Sequence, residues 1–225
     1  MKLLENIPVH LDLEEVLKQL GEKEGKHAGV IHELLGIANS LIKPRAIYEV
    51  SYVGDQNGDT VYIDGVKFTS RILRTNLDGV GRVFPYIVTI GKELENKAAS
   101  FDDLLKQFFI ETIGDVALRS TVKYLEDYLK KRYLLGQLSR MNPGSLKDWP
   151  IEQQTPLFSI FRDVEKIIGV RLTDSLLMVP RKSVSGIFFP TEVEFSSCQL
   201  CPREGCKYRR APYDKGLKEK YGIEE

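Results

Sequence analysis

The sequence predicts an α+β fold built on an antiparallel sheet, and three observations carry that reading. Helical and extended periodicities fall in separate blocks and do not alternate as βαβ units would. Asp64-Gly65 sits between two short apolar runs, which is the turn chemistry of a tight hairpin. A stretch from about 101 to 133 keeps the three-and-four apolar spacing of one long helix.

In chain order, the segment from about 11 to 43 reads as helical. Asp12 is placed to cap an apolar stripe of Val16, Leu17 and Leu20, a second stripe runs from Val30 to Ile42, and Pro44 stops it. Residues 46–53 read as a strand, and the run Gly54-Asp55-Gln56-Asn57-Gly58-Asp59 as a turn. Val61-Tyr62-Ile63 and Val66-Lys67-Phe68 form the arms of the Asp64-Gly65 hairpin, and 84–90 is a further strand. Leu104, Leu105, Phe108, Phe109, Thr112, Ile113, Val116, Ala117 and Ser120 define the expected buried face of the long helix. Gly114 interrupts that face at a cost of up to about 1 kcal/mol relative to alanine, a cost that close packing would explain. A Pro- and Gly-containing loop at 140–145 leads to Asp148-Trp149-Pro150 and an expected helix over 151–167. Residues 170–173 and 183–189 read as strands. Trp149 and Met178 are expected to be core residues.

The chain has 225 residues, 32 basic and 32 acidic side chains and no net charge. It is long enough for one substantial core, and the charge balance argues against a phosphate-neutralising nucleic-acid binder. No apolar run approaches the roughly 18 residues that span a bilayer. The first eight residues reach Pro8 too early for a secretory segment, so a cytoplasmic location is expected. Hydrolase and nucleotide-loop motifs are missing, and Gly79-Val80-Gly81 has no third glycine in dinucleotide-binding register.

Two runs carry a family resemblance. The first is Arg140-Met141-Asn142-Pro143-Gly144, followed by Trp149-Pro150-Ile151-Glu152-Gln153-Gln154. The second is Ile168 to Ser175, then Met178-Val179-Pro180 and Ser183-Val184-Ser185-Gly186-Ile187-Phe188-Phe189. Their order and spacing resemble the activation domain of cobalamin-dependent methionine synthase, with its Arg-x-x-x-Gly-Tyr loop and later Met-x-Pro-x-x-Ser-Val-Ser-Gly segment. The match is clear over 140–189 and faint over the long helix.

The resemblance implies a twisted antiparallel sheet with flanking helices, S-adenosylmethionine as ligand, and docking on the cobalamin-carrying module of a partner. It implies a free-standing subunit acting on a methionine synthase that lacks its own activation domain. Cobalamin would be held by that partner, and electrons would come from a donor such as flavodoxin or ferredoxin. Three parts are expected: 1–97 as an N-terminal α/β portion, 98–195 as the activation-domain-like core, and 196–225 as a cysteine-containing tail.

Residue by residue, Arg140 stands at the family arginine, whose guanidinium grips a carboxylate with two parallel bonds. Gly144 stands at the loop glycine, and Ser145 replaces the tyrosine that follows it. The ligand ammonium needs an acid on the preceding helix: one register offers Asp115 with Arg119 at the second acidic position, another offers Glu111 and Asp115. Ser183, Ser185 and Gly186 stand in the segment that lies near the family's ligand.

The cysteines lie outside that resemblance. Cys198, Cys201 and Cys206 fall within nine positions, with spacing that suits zinc or an iron–sulfur cluster, although closed sites of both kinds generally take four ligands. A redox role and plain thiols stand beside that reading. Two alternatives to the activator follow: a docking module for a corrinoid protein that no longer binds S-adenosylmethionine, and a cysteine-based metal or redox protein.

Overall fold

The structure is a computed structural model that describes residues 1–22, 25–206 and 209–222. The strands are β1 (Lys2–Leu4), β2 (Arg45–Tyr48), β3 (Ser51–Asn57), β4 (Thr60–Ile63), β5 (Val66–Thr69), β6 (Arg82–Thr89), β7 (Leu138–Met141), β8 (Arg171–Leu172), β9 (Met178–Val179) and β10 (Ser183–Pro190). The helices are α1 (Leu13–Leu20), α2 (Ala28–Leu41), α3 (Arg71–Asn76), α4 (Glu93–Ala99), α5 (Leu104–Tyr133), α6 (Gln154–Ser159), α7 (Val164–Ile168) and α8 (Lys215–Lys220).

Eight strands make one antiparallel sheet around β6. Along one side β6 pairs β10 from Ser183↔Thr89 to Phe188↔Phe84. Along the other it pairs β2 at 86–89 and β3 at 82–83. Pro85 falls where β2 gives way to β3. A proline has no N–H to donate, and this gap in the ladder lets a central strand carry one; its carbonyl accepts from Glu49 N at 3.0 Å. The pair β8–β9 forms a separate small sheet. Strands of the first hundred residues therefore share one sheet with β7 and β10.

Side chains alternate across this sheet. Tyr48, Phe84, Tyr86, Val88 and Phe188 face the second half of α5, against Val122, Leu125 and Leu129. Ile187 and Phe189 face the other way, onto Met141, Trp149, Leu157, Phe195 and Leu200. The first half of α5 packs with α1, α2 and α4 through Phe109, Ile110, Ile113, Val116 and Ala117. Trp149 is fully buried, and the preceding Asp148 caps α3, accepting from Ser70 Oγ and from the amides of Arg71 and Ile72.

The hairpin forms as expected, with left-handed backbone at Asp64 and Gly65. Asp12 caps α1 through Glu14 N. Gly114 packs closely: a Cβ there would stand 3.2 Å from Leu94 Cδ2 and from Lys182 Cε.

Several expectations change. The expected helix over 11–43 is two helices, with Gly21 in the left-handed conformation that ends α1; its part at Lys23 and Glu24 lies outside the described residues. The expected strand over 46–53 is split between β2 and β3. β3 continues through Gly54, Asp55, Gln56 and Asn57 with a register shift, so the turn is confined to 58–59. The helix over 151–167 breaks at Asp163, whose backbone is left-handed. Leu104, Leu105 and Phe108 are exposed rather than buried, because the partner helices of α5 begin to cover it only from Phe109 onward. No helix among the described residues is long and apolar enough to cross a membrane.

Candidate functional site

The site forms around β7. Its inner edge pairs β10 from Ile187↔Met141 to Pro190↔Leu138, which sets Arg140 opposite Phe188. Its outer edge is met by the tail: Arg140 and Ser196 form a parallel bridge, and Phe195 N donates to Ser139 Oγ at 2.7 Å. The Arg140 guanidinium lies over the Phe188 ring, 6.0 Å from its centroid. Burial lowers its pKa from the usual arginine value; Arg210 pushes the same way, while Tyr86, Glu126 and Cys198 oppose the shift. Among the described residues Arg140 has no ion-pair partner within 4.0 Å. A half-buried, unpaired guanidinium against an aromatic face is an electrostatically costly arrangement that an anionic ligand would relieve.

The loop after β7 is built by its own sequence. Asn142-Pro143-Gly144-Ser145 is a turn closed by Ser145 N to Asn142 O at 3.1 Å. Proline second and a left-handed glycine third, with φ +81° at Gly144, is the type II pattern. A Cβ on Gly144 would also press on Ile151 Cδ1 at 3.1 Å. Gly144 N donates to Trp149 O at 2.7 Å. Asn142 Nδ2 donates to Tyr86 Oη and to Ser185 O, both at 2.7 Å, locking the turn to the sheet. Burial raises the Tyr86 hydroxyl pKa against the opposing pull of Arg140 and Asn142. Gly186 makes this possible: a Cβ there would collide with the Met141 carbonyl, Asn142 Nδ2 and Tyr86 Oη. The Ser145 hydroxyl donates to Asn142 O at 2.7 Å and lies 3.3 Å from Ser197 Oγ, joining the turn to the tail.

Not every sequence-predicted residue reaches Arg140. Ser183 and Ser185 stand on the opposite face of β10, where they bond Thr89 Oγ1 at 2.9 Å and Gln154 Oε1 at 2.5 Å. Glu111 and Asp115 lie toward the other end of β10, where Lys182 Nζ bonds them at 2.9 and 2.6 Å. Arg181 adds a 2.7 Å contact to Glu111. From Lys182 to Phe188 the strand covers roughly 20 Å, at about 3.3 Å per residue. Arg119 donates to Gln19 Oε1 at 3.1 Å. The acid on α5 whose charge reaches Arg140 is Glu126, itself paired to Lys130 at 2.6 Å. Its signal was helical spacing: Glu126 lies eleven residues, or about three turns, beyond Asp115.

The cysteine tail also belongs here. Cys198 acts electrostatically on Arg140. Burial raises the Cys198 thiol pKa, but the Arg210 backbone amide, donating to Sγ at 3.4 Å, together with Ser196 and the Arg210 charge, brings it below the usual value. Among the described residues no three His, Cys, Asp or Glu side chains come together as a metal site, and the three cysteines are free thiols. The loop is organised by a guanidinium. Arg209 donates to the carbonyls of Cys198 at 2.9 Å, Cys201 at 3.0 Å, Arg203 at 2.5 Å and Ala211 at 3.3 Å. Lys207 and Tyr208, within the basic run 203–210, lie outside the described residues.

Fold and site together define a class: an α+β domain with a central antiparallel sheet, one long helix across it, and a polar site at the sheet edge. A particular relative in fold is the crystal structure of the MetH reactivation domain bound to AdoHcy. It superposes with a TM-score of 0.60 over 87% of this chain and 80% of that one, at 16% sequence identity. The fold is thus that of the MetH reactivation domain, and the likeness extends far beyond the segment 140–189. No protein-family model and no curated protein matches the sequence.

Proposed function

We propose that this chain is a stand-alone reactivation subunit that binds S-adenosylmethionine and works on a cobalamin-dependent methionine synthase lacking its own activation domain. The observation that carries the reading is Arg140: a guanidinium over Phe188 with no ion-pair partner among the described residues, at the head of a type II turn, in a chain with the reactivation-domain fold. The residues fit a zwitterionic ligand. Arg140 takes the carboxylate in charge-assisted bonds, Glu126 supplies the negative field for the ammonium, and the turn at 142–145, held by its own hydrogen bonds, fixes the end of the strand that carries Arg140. S-adenosylmethionine, when bound, supplies the methyl group; cobalamin belongs to the partner and electrons to a donor such as flavodoxin or ferredoxin. The chain's own residues then position and exclude water and carry no acid–base step.

Titration calorimetry with S-adenosylmethionine tests this reading. Binding by the wild type, abolished in Arg140→Ala and weakened in Arg140→Lys, supports it, because lysine cannot form the paired bonds. Binding unchanged in Arg140→Ala sinks the site. A second reading, a docking module for a corrinoid protein without ligand affinity, rests on Lys182 already holding Glu111 and Asp115 and on Ser145 in place of an aromatic. That reading expects no heat with the ligand and retained binding to the corrinoid partner.

A further inference from the structure

The tail from Phe195 to Cys198 touches the candidate site at three points: the Phe195 amide on Ser139, the Ser196 bridge on Arg140, and Ser197 Oγ beside Ser145 Oγ. The same short segment carries the first of three free thiols. Ser196 caps the turn that follows, with Gln199 Oε1 accepting from the Ser196 amide at 2.8 Å. Cys201 N then donates to Cys198 O at 3.3 Å, so the two cysteines stand at the ends of one turn. Turn ends lie within about 7 Å Cα to Cα, overlapping the roughly 4.4–6.8 Å that a disulfide spans.

We propose that the tail is a thiol–disulfide switch: Cys198 and Cys201 pair on oxidation, and the pairing loosens the tail from the edge of β7. Both thiols are partly exposed, as exchange requires. The Cys198 thiolate attacks one sulfur of a low-molecular-weight disulfide such as oxidised glutathione, forming a mixed disulfide and releasing one thiolate. The Cys201 thiolate then attacks the Cys198 sulfur and releases the second. The protein loses two electrons and two protons in all, and the small disulfide is reduced to two thiols. Arg209 fixes the carbonyls of both cysteines, so the movement falls on the other end of the turn, where Cys198 N donates to Ser196 Oγ at 3.4 Å, and passes from there to the Ser196 and Phe195 contacts with β7. The Cys198 sulfur leaves the Arg210 amide, and a sulfur that opposed the charge of Arg210 at Arg140 is withdrawn. If Arg140 is the ligand arginine, as proposed above, oxidation also weakens S-adenosylmethionine binding.

The full chain is equilibrated in reducing and oxidising glutathione buffers, and disulfides are mapped by mass spectrometry after alkylation of free thiols. Amide hydrogen exchange is followed at Phe195 and across β7 in both forms. The proposal expects a Cys198–Cys201 disulfide in the oxidised form, loss of protection at the Phe195 amide, and neither change in Cys201→Ser. No disulfide, a disulfide that uses Cys206 instead, or unchanged protection with the disulfide formed would each overturn it. A ligand titration on the two forms separates this inference from the functional reading. Absence of binding to both, with disulfide and exchange change intact, sinks the functional reading and leaves the switch standing. Equal binding to both removes the coupling to Arg140.

Discussion

Gly186 and Gly114 are both buried glycines in regular structure, and the same substitution is expected to have different effects at each. In Gly186→Ala the new methyl meets the main-chain carbonyl of Met141, which β7 cannot withdraw without breaking its pairing with β10, and also Asn142 Nδ2 and Tyr86 Oη. Overpacking of this kind costs about 1–3 kcal/mol. For a chain of this length each 1 kcal/mol lowers Tm by about 2–4 °C, so a fall of roughly 2–12 °C is expected. In Gly114→Ala the nearest atoms are the ends of the flexible Leu94 and Lys182 side chains, at 3.2 Å. Their adjustment is offset by a helix-propensity gain of about 1 kcal/mol, so stability should change little. Scanning calorimetry of the two variants reads both. Gly186→Ala as stable as wild type, or Gly114→Ala the worse of the two, would refute the reasoning that backbone rather than side-chain neighbours set the cost.

Two further outcomes follow from the packing and the charges. Trp149→Ala empties a fully buried site against Phe68, at a centroid distance of 6.4 Å, and should cost about 3–5 kcal/mol in urea unfolding; a loss below about 1 kcal/mol would show that the loop, and not the ring, organises this face. Burial raises the Glu93 pKa, but the Lys43 ammonium at 2.5 Å outweighs it and leaves the carboxyl below its usual value. A depressed acid pKa stabilises the fold above the unfolded-state value of about 4.3, and that stabilisation is lost as pH falls below it. The Tm gap between wild type and Lys43→Met should therefore narrow from pH 6 to pH 3, and a gap that widened would contradict the assignment.

The sequence showed those parts of the fold that local chemistry decides. Asp64-Gly65 takes its turn wherever two apolar arms flank it, Asp12 caps whatever helix follows, and the period of α5 survives any arrangement of neighbours. The misreadings at β7 and at the start of α5 share a cause, since they depended on contacts between distant residues. Leu104, Leu105 and Phe108 carry the right period for burial, but α5 extends beyond the helices that cover it. The loop expected at 140–145 takes in Arg140 and Met141 of β7, and Leu138 and Ser139 carried no strand signal, because these four residues become a strand only by pairing with β10. That single omission hid two more features. Without β7 nothing placed the tail beside Arg140, so the cysteines read as a separate site, and nothing distinguished Glu126 from the acids nearer the start of α5. Ser183 and Ser185 were legible as strand residues; which face they occupy was fixed only by the register with β6.

The central claim is that this chain reactivates a partner's cobalamin, and one spectrum tests it directly. A methionine synthase without its activation domain, held as cob(II)alamin, is given S-adenosylmethionine and a reductant, with and without this protein, and visible absorbance is followed. The account predicts methylcobalamin only when the protein is present, and none with Arg140→Ala. An unchanged cob(II)alamin spectrum with the wild-type protein, in an assay where a fused activation domain succeeds, would contradict it.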